Sequence, residues 1–395
     1  MKVALFVYLL LSATICLAGP NIKPVAEVPF QLDNNLVLLQ TRVNGSGPLP
    51  FILDTGASTS VINARLTEKL GLKAEGQGEA TTGGGAIDVR FVNGAKLRVG
   101  SVDLPNATLT AIPLAGLESG LGQTVGGIIG YEMFERYVVE IDYVSRIVRL
   151  YEPKNYQYTG KGSAIPTTLV EKTPFVHARI IGPAGVDADG TFEFDTGQVG
   201  SLTVTGDFVS RNNLLDPSRK ILEMRTGAIL AGRVNARVVR VKGVRLGAFV
   251  VSEPVATIIP GFMEAGIEEE AAGLIGGEIL RRFTVVIDYA RSRVILEPNR
   301  QFSAPIEFDM SGMSLAAQDS DLKTYAVRTL IEGGPAAESG IKIGDVITAI
   351  DGKPVDKMTL SQIRQLFRIE NKQYELSIKR GGVSSIFKLK TRKLV

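Results

Sequence analysis

Apolar residues in this chain fall into short runs separated by glycine, asparagine and aspartate, a pattern that predicts strands and tight turns rather than long helices. Leu49-Pro50-Phe51-Ile52-Leu53 reads as a buried strand, and Phe192-Glu193-Phe194 ends another. Pro174 to Ile180 alternates apolar and polar positions, so His177 and Arg179 fall on one strand face, the solvent face. Tyr131 to Arg136 predicts a turn and a half of helix. Tyr137 to Ile141 predicts a strand, Asp142 to Arg146 a turn and Ile147 to Leu150 the returning partner. Near the C-terminus, Lys323 to Arg328 predicts a strand. Thr359 with Gln362 three residues on predicts a capped helix running to about Phe367. Lys388 to Lys393 alternates like a solvated strand edge.

The pattern also repeats. Residues 126–143 and 272–289 align position by position without a gap, from Gly-Gly-Ile-Ile-Gly through Val-Val-Glu-Ile-Asp-Tyr in the first copy and from Ala-Gly-Leu-Ile-Gly through Val-Val-Ile-Asp-Tyr in the second. Gly130 precedes Asp142, and Gly276 precedes Asp288, by the same interval. Upstream of each copy stands an Asp-Thr-Gly triplet, Asp54-Thr55-Gly56 and Asp195-Thr196-Gly197, each closing an apolar run. A duplication on this scale predicts two similar lobes. Asp142 and Asp288 read as turn residues. Between triplet and repeat, each half has a glycine-bearing hairpin candidate: Gly83, Gly84 and Gly85 in the first, Gly227 in the second. Glycine lets such a tip bend and approach a bound chain, so these are candidate flaps.

Composition narrows the chemistry. At 395 residues with 45% hydrophobic content the chain has material for two or three domains. The net charge of +3 carries no nucleic-acid signature. Residues 1–18 read as a signal peptide, with Lys2 followed by an apolar stretch and cleavage near Ala18. That stretch falls short of the ~20 residues that span a bilayer, so no stable span is expected after cleavage; an uncleaved anchor is the other reading. The single cysteine, Cys16, lies within it, so the mature protein is expected to lack a thiol nucleophile and any Cys-type zinc site. The single histidine, His177, precludes a multi-histidine metal site, and no Gly-x-Ser-x-Gly turn accompanies it. No metal and no cofactor is expected. Paired carboxylates remain: Asp54 and Asp195, if they meet, cannot both ionise, and such a pair activates water.

Phe51 to Ser58 together with Ile128-Ile129-Gly130 resembles the retropepsin-type aspartic proteases, here with both lobes on one chain as in pepsin. The resemblance covers residues 30–299 and implies a mainly β, bilobal fold of two closed retropepsin-like lobes. These are expected at 26–155 and 171–300, joined by a linker at 156–170. It implies Asp54 and Asp195 as the catalytic pair, Thr55 and Thr196 bracing each other across the lobe interface, and the N–H groups of Gly56 and Gly197 reaching the carboxylates. Gln198 departs from the Ala, Ser or Thr usual after the triplet, which leaves open an inactive peptide-binding adaptor. Gly333 to Gly352 resembles the PDZ domains of bacterial exported proteases, expected at 307–395. That resemblance implies a peptide ligand held by Gly312, Met313, Ser314 and Leu315 at a carboxylate loop. Ile363 and Leu366 read either as pocket lining with Leu315 or as core. The chain is thus expected to be an exported aspartic endopeptidase, periplasmic or secreted, acting on proteins or peptides.

Overall fold

The computed structural model describes residues 23–82, 85–216, 218–228, 232–260 and 271–395. The expected signal peptide lies outside them, as do Gly83 and Gly84. Among the described residues no helix is long and apolar enough to cross a membrane.

The duplication is visible strand by strand. In the first half Leu49–Leu53 lies between Leu36–Val43, antiparallel, and Gly127–Ile129, parallel. In the second, Asp187–Phe194 lies between Thr173–Ile181, antiparallel, and Ala271–Ile275, parallel. Val61–Asn63 then pairs antiparallel with Gly127–Ile129 and parallel with Val102–Ile112. Leu202–Thr205 repeats both pairings with Ala271–Ile275 and Val255–Ile259. Short helices Tyr131–Arg136 and Gly277–Leu280 follow the parallel strands at matching places. The Asp142 carboxylate accepts the amides of Val144 and Ser145, both at 3.0 Å, and so closes the turn expected there. His177 is exposed on its strand, on the Arg179 side.

The lobes join through one antiparallel sheet. Its order is Ala26–Asp33, Ile147–Tyr151, Val138–Asp142, Phe283–Asp288, Arg293–Pro298, Ser163–Val170. The central pair crosses between lobes, with Ile141 opposite Val285 and Val139 opposite Ile287. All four are fully buried. The outer strands correspond as well: Ala26–Asp33 leaves the sheet to pair with Leu36–Val43, and Ser163–Val170 to pair with Thr173–Ile181. The stretch expected as a linker therefore contains the first strand of the second lobe. Its Ser-Ala-Ile-Pro-Thr-Thr composition resembles a loop, and only pairing with a strand more than 120 residues downstream orders it.

The C-terminal module is a separate sheet with its own core. Met313–Ala317, Tyr325–Leu330, Val346–Ile350, Gln373–Arg380 and Val383–Lys390 pair antiparallel in that order. Helix Leu360–Leu366 has the expected capping box: Thr359 accepts from the Gln362 amide and Gln362 accepts from the Thr359 amide.

A buried carboxylate ties the three units together. Glu278, on the second-lobe helix, accepts from Asn35 of the first lobe at 2.9 Å and from Arg281 at 2.6 Å, and it meets Arg368 of the C-terminal module at 3.4 Å. Buried Arg282 lies 3.4 Å from the same carboxylate and donates to the carbonyls of Gln301 and Pro305. Burial alone would raise the Glu278 pKa, but Arg281, Arg368 and the Asn35 hydrogen bond outweigh it and hold it below the ordinary 4.5. The folded pKa is depressed, so this stabilisation is present above pH 4.5 and is lost as pH falls through the folded value. Glu278→Gln is expected to cost about 3 kcal/mol at neutral pH, because it leaves buried Arg282 and half-buried Arg281 and Arg368 without their acid. It should also flatten the acid limb of stability below pH 4.5, both effects read from urea unfolding across pH.

Candidate active site

Each Asp-Thr-Gly triplet begins where a buried strand runs out. The Asp54 amide donates to the Ile129 carbonyl at 2.9 Å and the Asp195 amide to Ile275 at 3.0 Å, the last ladder bonds of the two parallel pairs. Beyond that point the backbone has no strand partner, and the threonines supply one from the other lobe. The Thr55 hydroxyl donates to the Phe194 carbonyl at 2.5 Å and accepts from the Thr196 amide at 3.0 Å. The Thr196 hydroxyl donates to the Leu53 carbonyl at 2.9 Å and accepts from the Thr55 amide at 3.0 Å. Both threonines are completely buried.

This exchange places the two aspartates side by side, with their carboxyl groups hydrogen-bonded to each other. The Gly56 amide donates to Asp54 Oδ1 at 2.8 Å and the Gly197 amide to Asp195 Oδ1 at 2.7 Å. The glycines also permit the approach itself. A Cβ on Gly197 would stand 2.2 Å from the Asp54 carboxyl carbon, and one on Gly56 would stand 3.1 Å from that of Asp195. Any side chain at Gly197 would separate the acids. Burial lifts the Asp54 pKa above the ordinary carboxylate range, against hydrogen bonds from Asp195 and from the amides of Gly56, Ala57 and Gly197 that pull it down.

Gln198 turns onto its own loop. Its Oε1 accepts from the Gly200 amide at 3.2 Å, and its backbone carbonyl accepts from Gly277 at 2.7 Å. The Ala57 carbonyl accepts from Tyr131 in the same way in the other lobe, so the longer side chain keeps the loop geometry.

Sequence reasoning missed the acid next to this pair. Glu193 is buried, and its Oε1 lies 2.6 Å from the Cβ position of Gly56, the point that the Asp195 carboxyl carbon approaches to 3.1 Å. The available signal was Glu193 in a run of phenylalanines, at the position where the first lobe has Ile52. Tyr143 and Tyr289, each following a turn aspartate of the repeat, were missed too. Burial with Asp195 nearby pushes up the Tyr143 phenol; burial with Asp54 and Glu193 nearby pushes up that of Tyr289.

The remaining candidates are scattered around this centre. Hairpin Ala74–Thr82 with Gly85–Val99 carries Gly85 opposite Thr82, and Leu222–Ala228 with Gly232–Arg240 carries Gly227 opposite Arg233. In the C-terminal module Leu315 and Ile363 are buried in the core, and Leu366 packs against it half-buried. Met313 is buried as well. Ser314 shares a short hydroxyl hydrogen bond of 2.5 Å with Thr329. The amide of Gly312 donates to Asp309.

Replacing Thr196 by Val removes the donor to Leu53 and the acceptor for Thr55 together, in a place no water reaches. It is expected to lower stability by about 2–4 kcal/mol, whereas Thr196→Ser keeps both bonds and most of the stability, measured by chemical denaturation.

Two stretches of the chain match known families. Residues 39–133 match the family model described as aspartyl protease, and residues 327–380 match that of the PDZ domain. A probable CtpA-like serine protease of Staphylococcus haemolyticus is 30% identical over 99 residues; that match spans 25% of this chain and only 20% of the relative's length. Among solved structures, the aspartic proteinase from Irpex lacteus aligns over 71% of this chain and 98% of its own, at 14% identity and a TM-score of 0.44. Basic 7S globulin from soybean aligns over 72% and 97%, at 14% identity and a TM-score of 0.42. Residues 39–133 are thus similar to aspartyl proteases and residues 327–380 to PDZ domains, within a mainly β chain of two like lobes followed by a separate C-terminal sheet.

Proposed function

We propose that this chain is an exported aspartic endopeptidase in which Asp54 and Asp195 hold one proton between them and activate a water. The observation that carries the reading is the pair of mutually hydrogen-bonded carboxyl groups at the lobe interface, each supplied with a glycine amide. Two acids this close in a desolvated site release their protons in two separated steps, so over a range of pH one is charged and its partner is not. The ionised member takes a proton from water as the oxygen attacks the peptide carbonyl. The neutral member donates a hydrogen bond to the developing oxyanion. Collapse of the tetrahedral intermediate passes a proton to the leaving nitrogen and breaks the C–N bond, and no covalent enzyme intermediate forms. The amides of Gly56 and Gly197 and the threonine exchange keep both acids in place, so little reorganisation accompanies the step. The glycine-bearing hairpins are proposed to close over the substrate. Export rests on the leader-like residues 1–18, and the PDZ domain is proposed to take a peptide terminus of a substrate or partner.

Asp54→Asn and Asp195→Asn are each expected to abolish cleavage of an unfolded protein such as reduced casein. Turnover by both variants equal to wild type would refute the dyad. Because burial raises the Asp54 pKa, its charge is a stability penalty that grows as pH rises through the folded value. Asp54→Asn removes a group that must otherwise ionise, so its melting temperature at neutral pH is expected to equal or exceed that of wild type. That result separates lost chemistry from lost folding. Activity should vanish on the alkaline side once the shared proton leaves the pair, seen as a falling limb in kcat/KM against pH.

A further inference from the structure

The sheet edge where a PDZ domain adds a peptide strand is met here by the chain's own first lobe. Strand Met313–Ala317 pairs with Tyr325–Leu330 along one edge, and its other edge faces helix Leu360–Leu366 across the groove where an added strand lies. Helix Ala115–Leu121 of the first lobe packs against that strand. The Ser119 hydroxyl donates to the Ala317 carbonyl. Arg364 Nη2 donates to the Leu315 carbonyl at 3.0 Å and to the Gly120 carbonyl at 2.7 Å, joining groove strand, groove helix and first lobe. Leu315 and Ala317 are two apart on the strand, so both carbonyls point from the same edge. An added strand needs these two acceptors for its own amides. The fit is close: a Cβ on Gly122 would stand 2.9 Å from Leu360 Cβ and 3.3 Å from the Tyr325 ring. At the other end of the groove, the amides of Ser311 and Gly312 both donate to Asp309 Oδ1 at 2.9 Å. An internal carboxylate thus holds the first amide of the carboxylate loop, that of Gly312, and the Ser311 hydroxyl accepts from the next, that of Met313, at 3.2 Å.

We propose that the PDZ domain is self-liganded, closed by helix Ala115–Leu121 and Asp309, and that an extended peptide with a free carboxylate and an apolar last residue binds by displacing them. The displacement reaches the first lobe through Leu117 and Leu121 of that helix. They pack in one cluster with Ile52 and Ala57, which stand on either side of Asp54. Peptide capture therefore loosens the wall beside the first acid of the pair. As a control on proteolysis, this inference rests on the peptidase reading; as a latch on the groove, it does not.

The test uses the full chain carrying Asp54→Asn, so that the probe is not cut. A fluorescein-labelled decapeptide ending in leucine is titrated with its carboxylate free and with it amidated, and amide exchange over residues 115–121 is followed by mass spectrometry. Gly122→Val pries the latch from the lobe side and leaves the PDZ sequence intact; it is expected to bind the free-carboxylate peptide at least tenfold tighter than its parent. Ser119→Ala is the milder opening, expected to tighten binding a few-fold. Saturating the unmutated latch with peptide is expected to speed exchange over 115–121 at least tenfold, a readout that stands even where Gly122→Val fails to fold. The amidated probe should bind more weakly throughout. Equal affinity with the latch intact and opened, unaltered exchange over 115–121 on peptide binding, or no binding in any form would each overturn the proposal. An inactive wild-type dyad would sink the peptidase reading and leave these binding results untouched.

Discussion

Neither lobe can satisfy its own backbone at the point where its aspartate-bearing strand ends. The Leu53 carbonyl is met by Thr196, the Phe194 carbonyl by Thr55, and each threonine amide by the opposite hydroxyl. Leaving any one of these buried groups unmade costs about 1–3 kcal/mol, so two lobes of this sequence are driven to meet in this arrangement. The position of the two acids follows from it. The inter-lobe sheet extends the same relation, because the strands that cross at Ile141 and Val285 are equivalent members of the two repeats.

That apposition concentrates like charge where little water is present to screen it. Asp54, Asp195 and Glu193 converge on Gly56 and Gly197, with two buried phenols close behind. Hydrogen bonds from glycine amides offset part of the cost of ionisation, and proton retention offsets more. Glu278 solves the same problem differently. It is also buried, but it is surrounded by arginines and stays ionised, and so serves as a structural tie. The surroundings of each carboxylate, rather than its residue type, decide which role it plays.

Much of this was legible in the sequence because it is carried by local pattern. The threonine exchange of the triplets, the repeated strand of Gly127-Ile128-Ile129 and Gly273-Leu274-Ile275, the Asp142 turn and the Thr359 capping box each depend on a few consecutive residues, and each has the expected form. What was not legible depends on distant partners. Ser163–Val170 reads as a linker until Arg293–Pro298 pairs with it. Glu193 reads as one polar residue in an apolar run until Gly56 arrives from the other lobe. Arg364 and Arg368 resemble ordinary helix-surface cations, yet they meet the first lobe and Glu278 respectively. Ile363 was ambiguous between groove and core because a short amphipathic helix serves both, and it is core.

The two repeats have kept their backbone in step while their side chains around the acids have drifted apart. Two residues ahead of one aspartate stands Ile52 and ahead of the other Glu193; just after the triplets stand Ala57 and Gln198. In an enzyme assembled from identical halves such differences are impossible, since any change appears on both sides at once. Here the two acids have unlike neighbours: an oily one beside Asp54, and an acid with an amide beside Asp195. The two carboxyl groups are therefore not interchangeable, and fusing the halves into one chain is what lets each acid acquire surroundings of its own.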